Sequence, residues 1–238
     1  MQDWEYKSAG DVGLKPSDQW RSLRREGGLP TAIVHGAWCA ATSGYLKVFH
    51  RFRVTGREHL PSRPPFVVVA NHASHLDAIA LAVGLPPRFR AHAFPIAAGD
   101  TFFETKTTAA FAAIFLNALP MWRKKCGSHA METLRERLVG GGTIYLLFPE
   151  GTRTRDGAMT DFRAGIGMLV AGTGVPVVPA YLDGCFAAMP PKSRLPRPHA
   201  ISLRFGAASE FANVANDRAG WREVAAALEK NVRDLAVQ

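Results

Sequence analysis

From residue 52 onward, short apolar runs alternate with stretches of helical periodicity. That alternation predicts an α/β fold, with a mostly parallel central sheet flanked by helices. The residues before it read as an N-terminal helical segment, so the chain divides into a segment 1–51 and an α/β domain 52–238. No internal repeat and no low-complexity linker interrupts the second part.

Residues 1–30 are polar, and a short helix is expected around Ser17–Arg25 after Pro16. Gly27, Gly28 and Pro30 break the chain before a second helix from Thr31 to about His50. This helix carries Ile33, Val34, Trp38, Tyr45, Leu46, Val48 and Phe49 around much of its circumference, while His35, Lys47 and His50 argue against a membrane span. The basic residues Lys47, Arg51, Arg53 and Arg57 cluster at its end. An aromatic-apolar helix beside cations suits a membrane interface, and it equally suits a cover over the core.

Seven strands follow, at Phe52–Thr55, Phe66–Ala70, Ala91–Ala97, Ala118–Arg123, Thr143–Phe148, Val175–Tyr181 and Ile201–Phe205. Helical patterns lie between them at Asp77–Val83, Thr107–Leu116, Ser128–Val139 and Gly165–Ala171. The third holds Met131, Leu134 and Leu138 on one face and ends in Gly140-Gly141-Gly142. The last segment aligns Trp221, Val224, Ala225, Leu228, Val232 and Leu235, with Asn216 or Asp217 as cap.

Composition narrows the function classes. Of 238 residues, 47% are apolar and 21% charged, ordinary values for a chain with a sizeable core. Cys39, Cys126 and Cys185 are scattered and odd in number, which fits neither a disulfide framework nor a zinc site and favours a reducing compartment. The N-terminus, Met1-Gln-Asp-Trp-Glu-Tyr-Lys, is polar and does not read as a signal peptide. A net charge of +9 implies an acidic partner: nucleic acid, anionic headgroups or a polyphosphate. No nucleic-acid module or aromatic RNA platform is present, so no nucleic-acid partner is expected.

The chemistry gathers first at Phe66-Val-Val-Val-Ala-Asn71-His72-Ala73-Ser74-His75-Leu76-Asp77, a buried strand that turns and then opens a helix. A histidine with a carboxylate partner can take a proton from a hydroxyl. Residues five apart lie about 140° around a helix, so His72 must precede the helix and Asp77 must fold back from its first turn. A loop histidine beside a helix-capping aspartate gives the same pattern.

A second strand, Thr143–Phe148, ends in Pro149-Glu150-Gly151-Thr152-Arg153-Thr154-Arg155. Pro and Gly force a turn at a strand's carboxyl end, where α/β ligands bind, and the turn offers arginine forks and a hydroxyl for a phosphate. A charged loop with Glu150 paired to an arginine is the plainer reading. Asn117-Ala-Leu-Pro-Met-Trp-Arg123-Lys124-Lys125 is another strand running into cations. Phe162-Arg163-Ala164-Gly165 opens a helix, and Val175-Pro-Val-Val-Pro179-Ala-Tyr181 reads as a buried core strand, a hydrophobic wall that can also line a ligand groove.

Taken in order, Asn71-His72-x4-Asp77, a strand ending in Arg123, Phe148-Pro-Glu-Gly-Thr-Arg153 and Val175-Pro-Val-Val-Pro179 resemble the four blocks of the glycerolipid acyltransferases, in particular the bacterial 1-acylglycerol-3-phosphate acyltransferases. The resemblance spans about residues 52–182. Where that family usually opens the second block with Gly, this chain has Asn117.

The resemblance implies that His72 is the general base and Asp77 orients it, as the carboxylate does in serine-protease triads. The nucleophile is then the acceptor's own hydroxyl, and the attacked group is the thioester of acyl-CoA or acyl carrier protein. Arg123, Glu150, Gly151, Thr152 and Arg153 match the acceptor-binding blocks, the arginines holding the acceptor's phosphate and apolar walls the acyl chain. The implied product is phosphatidic acid from 1-acylglycerol 3-phosphate. Glycerol 3-phosphate, other lysolipids or amino-lipid hydroxyls are alternative acceptors, and a non-catalytic lipid-binding role on the same fold is the alternative of another class. No cofactor and no metal ligand set are expected, and His75 carries no assigned role. The expected location is cytoplasmic, peripheral on the inner face of the cell membrane, in contact with its anionic surface.

Overall fold

The structure, a computed structural model, describes residues 10–26, 28–122, 128–193 and 195–237. The leading segment carries α1 (Pro16–Gln19) and α2 (Leu29–His50), and β1 (Arg53–Thr55) and a tight turn at Arg57–His59 follow. Next come β2 (Phe66–Ala70), α3 (Leu76–Gly84), α4 (Pro87–Arg90), β3 (Ala93–Ala98), α5 (Gly99–Phe102) and α6 (Lys106–Ile114). Then follow β4 (Leu119–Met121), α7 (Ser128–Val139), β5 (Ile144–Leu147), α8 (Gly165–Val170), β6 (Val177–Asp183), α9 (Cys185–Ala188), β7 (Ser202–Phe205) and α10 (Arg218–Ala236).

The strands form one seven-stranded sheet in the order β1-β7-β6-β2-β5-β3-β4. Every pairing is parallel except β6 with β7, so the α/β expectation holds, with two strands at one edge reversed. Alternate side chains of the strands enter two cores. Phe66, Val68 and Ala70 face the layer of α3 and α2, while Val67 and Val69 face α7, α8 and α10. All five residues of β2 are fully buried, which explains an uninterrupted apolar run in place of an alternating one. On the second face α8 lies tightly on α10, and a Cβ at Gly167 would come within 2.3 Å of Trp221's backbone. Asp217, one of the two expected caps, caps α10 by accepting from Ala219 and Gly220 N–H groups at 3.0 and 2.9 Å.

The expected first helix is shorter than its pattern, stopping at Gln19 where Arg25 was anticipated. Tertiary partners take the groups that a longer helix would use. Arg25 is buried and donates to Asn117 Oδ1 at 3.0 Å, and Arg137 donates to Leu23's carbonyl. Helix α2 has an inverted pattern. Its buried face presents His35, Cys39, Thr42, Leu46 and His50, while Leu29, Ile33, Val48 and Phe49 are 75, 65, 75 and 55% exposed. The buried imidazoles pin the helix at both ends, through Phe115 O at 2.8 Å and His199 O at 3.1 Å.

Strand β2 lies between β5 and β6, all three parallel, so the turns leaving their carboxyl ends converge. Both polar motifs sit there, at the edge where open α/β sheets bind ligands.

Candidate active site

Leaving β2, Asn71 is buried and pairs its amide with Leu182 of β6, donating to the carbonyl at 2.9 Å and accepting from the N–H at 2.8 Å. This double bond to a neighbouring strand fixes where the next residue stands. His72 follows, and its Nδ1 is 2.9 Å from Asp77 Oδ2. The expected fold-back is present, with His72 ahead of α3 and Asp77 in its first turn. The same Oδ2 accepts the N–H groups of Ala73 and Ser74 at 2.6 and 2.7 Å. Asp77 is fully buried and His72 partly exposed, so the carboxylate is held below a ring that reaches the surface. Ser74 Oγ ties the turn to the loop after α9 by donating to Met189 O at 2.7 Å.

Two contacts join this turn to the one leaving β5. His72 N–H donates to Glu150 Oε1 at 2.6 Å, and Thr154 N–H donates to His72 O at 3.0 Å. The Phe148 ring stacks on the imidazole with centroids 4.2 Å apart and planes 20° apart. With Nδ1 bound to Asp77, one face on Phe148 and the backbone held on both sides, the ring has a single orientation. Nε2 has no partner among the described residues.

Glu150, expected to face the acceptor, has another position. It is 2% exposed, and its second oxygen accepts from Thr160 N–H and Oγ1 at 2.8 and 2.7 Å. A carboxylate closed off in this way holds the two turns together. It is not paired with an arginine among the described residues: Arg163 Nε donates to the Glu150 carbonyl, at 3.1 Å. Gly151 has φ of +74°, and a Cβ there would lie 2.9 Å from Arg163 Nε. Thr152 is exposed on the turn, and Arg153 is partly exposed with Nη1 buried and unpaired. Arg123, the remaining expected ligand of the acceptor, lies outside the described residues.

Electrostatics mark the mouth of the site. Burial, and then the charges of Arg153 and His72, lower the pKa of His75 below the usual imidazole value. Burial and Asp77's charge raise the Cys185 pKa well above that of a free thiol, so Cys185 stays protonated. Among the described residues no three His, Cys, Asp or Glu side chains converge as metal ligands. An apolar groove of about 300 Å³ runs between α2 and α3, lined by Trp38, Ala41, Tyr45, Leu76 and Ile79. Val175–Tyr181 contains the core strand expected there: β6 lies inside the sheet, with Val177 and Val178 fully buried.

Sequence reasoning assigned no task to Asn71, Phe148 or Arg163. An amide directly after a buried strand was a usable sign for Asn71. Nothing local to Arg163 shows that its side chain returns to Glu150.

The sequence profile of the Acyltransferase family matches residues 51–183, more than half of the chain. The chain belongs to the Acyltransferase family. It is 32% identical over 135 residues to the 1-acyl-sn-glycerol-3-phosphate acyltransferase alpha of Ovis aries, a match covering 56% of this chain and 45% of that protein. To a 1-acyl-sn-glycerol-3-phosphate acyltransferase of Chlamydomonas reinhardtii it is 32% identical over 187 residues, covering 73% of this chain and 48% of the relative. The chain thus spans about half the length of the curated relatives it matches. The crystal structure of the 1-acyl-sn-glycerophosphate (LPA) acyltransferase PlsC from Thermotoga maritima shares the fold. Its TM-score is 0.61 at 23% identity, over 87% of this chain and 81% of that one.

Asn117, which departs from the family's usual Gly, has φ of +53°. This is the left-handed region that Gly enters freely and Asn tolerates best among the other residues, so the backbone shape is kept. Its amide also donates to Ala93 O at 3.0 Å.

Proposed function

We propose that this acyltransferase moves a fatty acyl group from a thioester, acyl-CoA or acyl carrier protein, to the free hydroxyl of 1-acylglycerol 3-phosphate, giving phosphatidic acid. The observation that carries this reading is the 2.9 Å bond between His72 Nδ1 and the buried Asp77, with Nε2 left without a partner among the described residues. Asp77 accepts the Nδ1 proton, so the lone pair lies on Nε2, where the acceptor hydroxyl can meet it. Nε2 takes the hydroxyl proton as the oxygen attacks the thioester carbonyl and a C–O bond forms. The C–S bond then breaks, and the imidazolium returns its proton to the leaving thiolate. No enzyme-bound acyl group is needed. The thioester arrives already activated, so the transfer calls for no cofactor.

The relatives' names support the phosphate-bearing acceptor, and Arg153 supplies an unpaired guanidinium donor on the turn that touches His72. The groove between α2 and α3, which begins at Leu76 beside Asp77, is suited to an acyl chain. The exposed apolar side of α2, with Lys47, Arg51 and Arg53 exposed at its end, supports peripheral docking on an anionic membrane, at its inner, cytoplasmic face. Among the described residues no helix is long and apolar enough to cross a membrane.

The test is the purified protein with acyl-CoA or acyl carrier protein and a panel of lysolipids, following thiol release. The account expects release with 1-acylglycerol 3-phosphate and little with phosphate-free 1-acylglycerol. Release that depends on neither acceptor would leave only thioester hydrolysis.

A further inference from the structure

Glu150 connects two groups that the sequence gives no reason to associate. Its carboxylate holds the His72 backbone, and its carbonyl accepts from Arg163 Nε at 3.1 Å. Arg163 is tied a second time, by its own N–H to Pro149 O at 2.9 Å. Its guanidinium lies across Gly151, with Nε, Cδ and Cζ at 2.9, 3.1 and 3.3 Å from the place of a glycine Cβ. The plane is therefore held over the turn two residues before Arg153. Among the described residues neither Arg153 nor Arg163 has a carboxylate partner, because the one acid of the turn is already occupied by Thr160 and His72. Arg163 uses Nε for the loop, and among the described residues both Nη groups of this exposed side chain have no partner.

Two guanidiniums tied to one turn, neither with a carboxylate partner among the described residues, leave donors that one anion can take. The anion of the proposed reaction is a phosphate monoester. We propose that Arg163 is a second ligand of the acceptor's phosphate, gripping it together with Arg153 while Gly151 leaves room for its side chain. This rests on the acyltransferase reading and adds to it the residue that distinguishes a phosphorylated acceptor from a neutral one.

The experiment compares wild type with R163Q and R163K, using 1-acylglycerol 3-phosphate and phosphate-free 1-acylglycerol as acceptors. Gln can still donate to the Glu150 carbonyl but carries no charge, and Lys keeps the charge. The expected result for R163Q is a KM for the phosphorylated acceptor raised by at least roughly tenfold, with kcat and the donor KM within about twofold of wild type. R163K should recover most of that loss, and kcat/KM for 1-acylglycerol should match wild type in both variants. Equal losses on both acceptors, or a fall in kcat alone, would show that Arg163 only clamps the loop and would overturn the proposal. A change in the donor KM alone would assign the guanidinium to a phosphate of CoA and overturn it too. Calorimetric binding of sn-glycerol 3-phosphate provides an arm that needs no turnover. If wild type acylates no lysolipid, the parent reading fails, while weaker binding of this probe by R163Q than by wild type still supports the phosphate site. Unchanged binding overturns it.

Discussion

The backbone N–H of His72 donates to Glu150 Oε1 at 2.6 Å, so the position of the proposed base depends on a carboxylate from another strand's turn. Glu150 acts inside the protein, on His72 and Thr160. Glu150→Ala removes the acceptor of three partly buried donors, and each such loss costs about 1 kcal/mol. For a chain of this size the melting temperature should fall by roughly 6–12 °C, with kcat reduced and the acceptor KM little changed. An unshifted melting temperature with a selectively raised acceptor KM would place Glu150 against the substrate instead.

Asp77→Asn should keep the fold of the turn while disabling the base. An amide oxygen in the place of Oδ2 keeps the Ala73 and Ser74 bonds and still accepts from Nδ1, but it brings no negative charge to stabilise the imidazolium. The turned amide presents an N–H there and favours the wrong tautomer. The expected loss in kcat is on the order of 10²–10⁴, with an unchanged circular dichroism spectrum. Activity within threefold of wild type would mean that tautomer control is unimportant.

Arg153 and His75 report on each other. Burial and Arg153's charge together depress the pKa of His75, so that ring is neutral at a pH where a free histidine is partly charged. Removing a nearby positive charge favours the imidazolium, so in Arg153→Ala the His75 NMR titration should move upward. The sign for stability is also fixed. The unfolded chain takes up this proton at a higher pH than the folded one, so His75 costs stability as pH falls below its unfolded value. In the same variant the KM for the phosphorylated acceptor should rise far more than that for the thioester. An unmoved titration would separate the two residues, and equal KM effects would remove Arg153 from the acceptor subsite.

Vesicle co-sedimentation should require anionic lipid and weaken with added salt, because each basic residue near such a surface contributes about 1 kcal/mol, screened within a Debye length. Reversing the charges of Lys47, Arg51 and Arg53 should weaken binding by at least roughly a hundredfold. Arg57 is left intact because its Nε donates to Gly84 O at 2.9 Å. A short, water-soluble phosphorylated acceptor should still be acylated by that variant. Binding equally well to neutral vesicles at high salt would contradict the electrostatic part, and no binding under any condition would leave α2 as a cover over the core.

The parts legible in the sequence were those encoded by neighbouring residues. Phe66–Ala70 has the bounds read from its apolar run, and Ser128–Val139 those read from its period and closing glycines. The His72–Asp77 pair was legible because strand, turn and helix start lie within one dozen residues. Helices α4, α5 and α9 have four residues each, too few for a period to show. The stacking of Phe148 and the returns of Thr160 and Arg163 to Glu150 depend on how a loop folds over ten or more residues, which no local pattern records. The inverted face of α2 was hidden for another reason. Its apolar residues surround the helix, so only the packed structure shows that His35, Thr42 and His50 share the buried face with Cys39 and Leu46.

The most direct measurement of the central claim is the single-turnover rate of His72→Ala with acyl-CoA and 1-acylglycerol 3-phosphate, alongside its binding of both. A partly exposed turn residue contributes little to the core, so the variant should fold, bind both substrates within a few-fold of wild type and transfer acyl groups on the order of 10²–10⁴ times more slowly. A near wild-type transfer rate would contradict base catalysis by His72 and, with it, the mechanism.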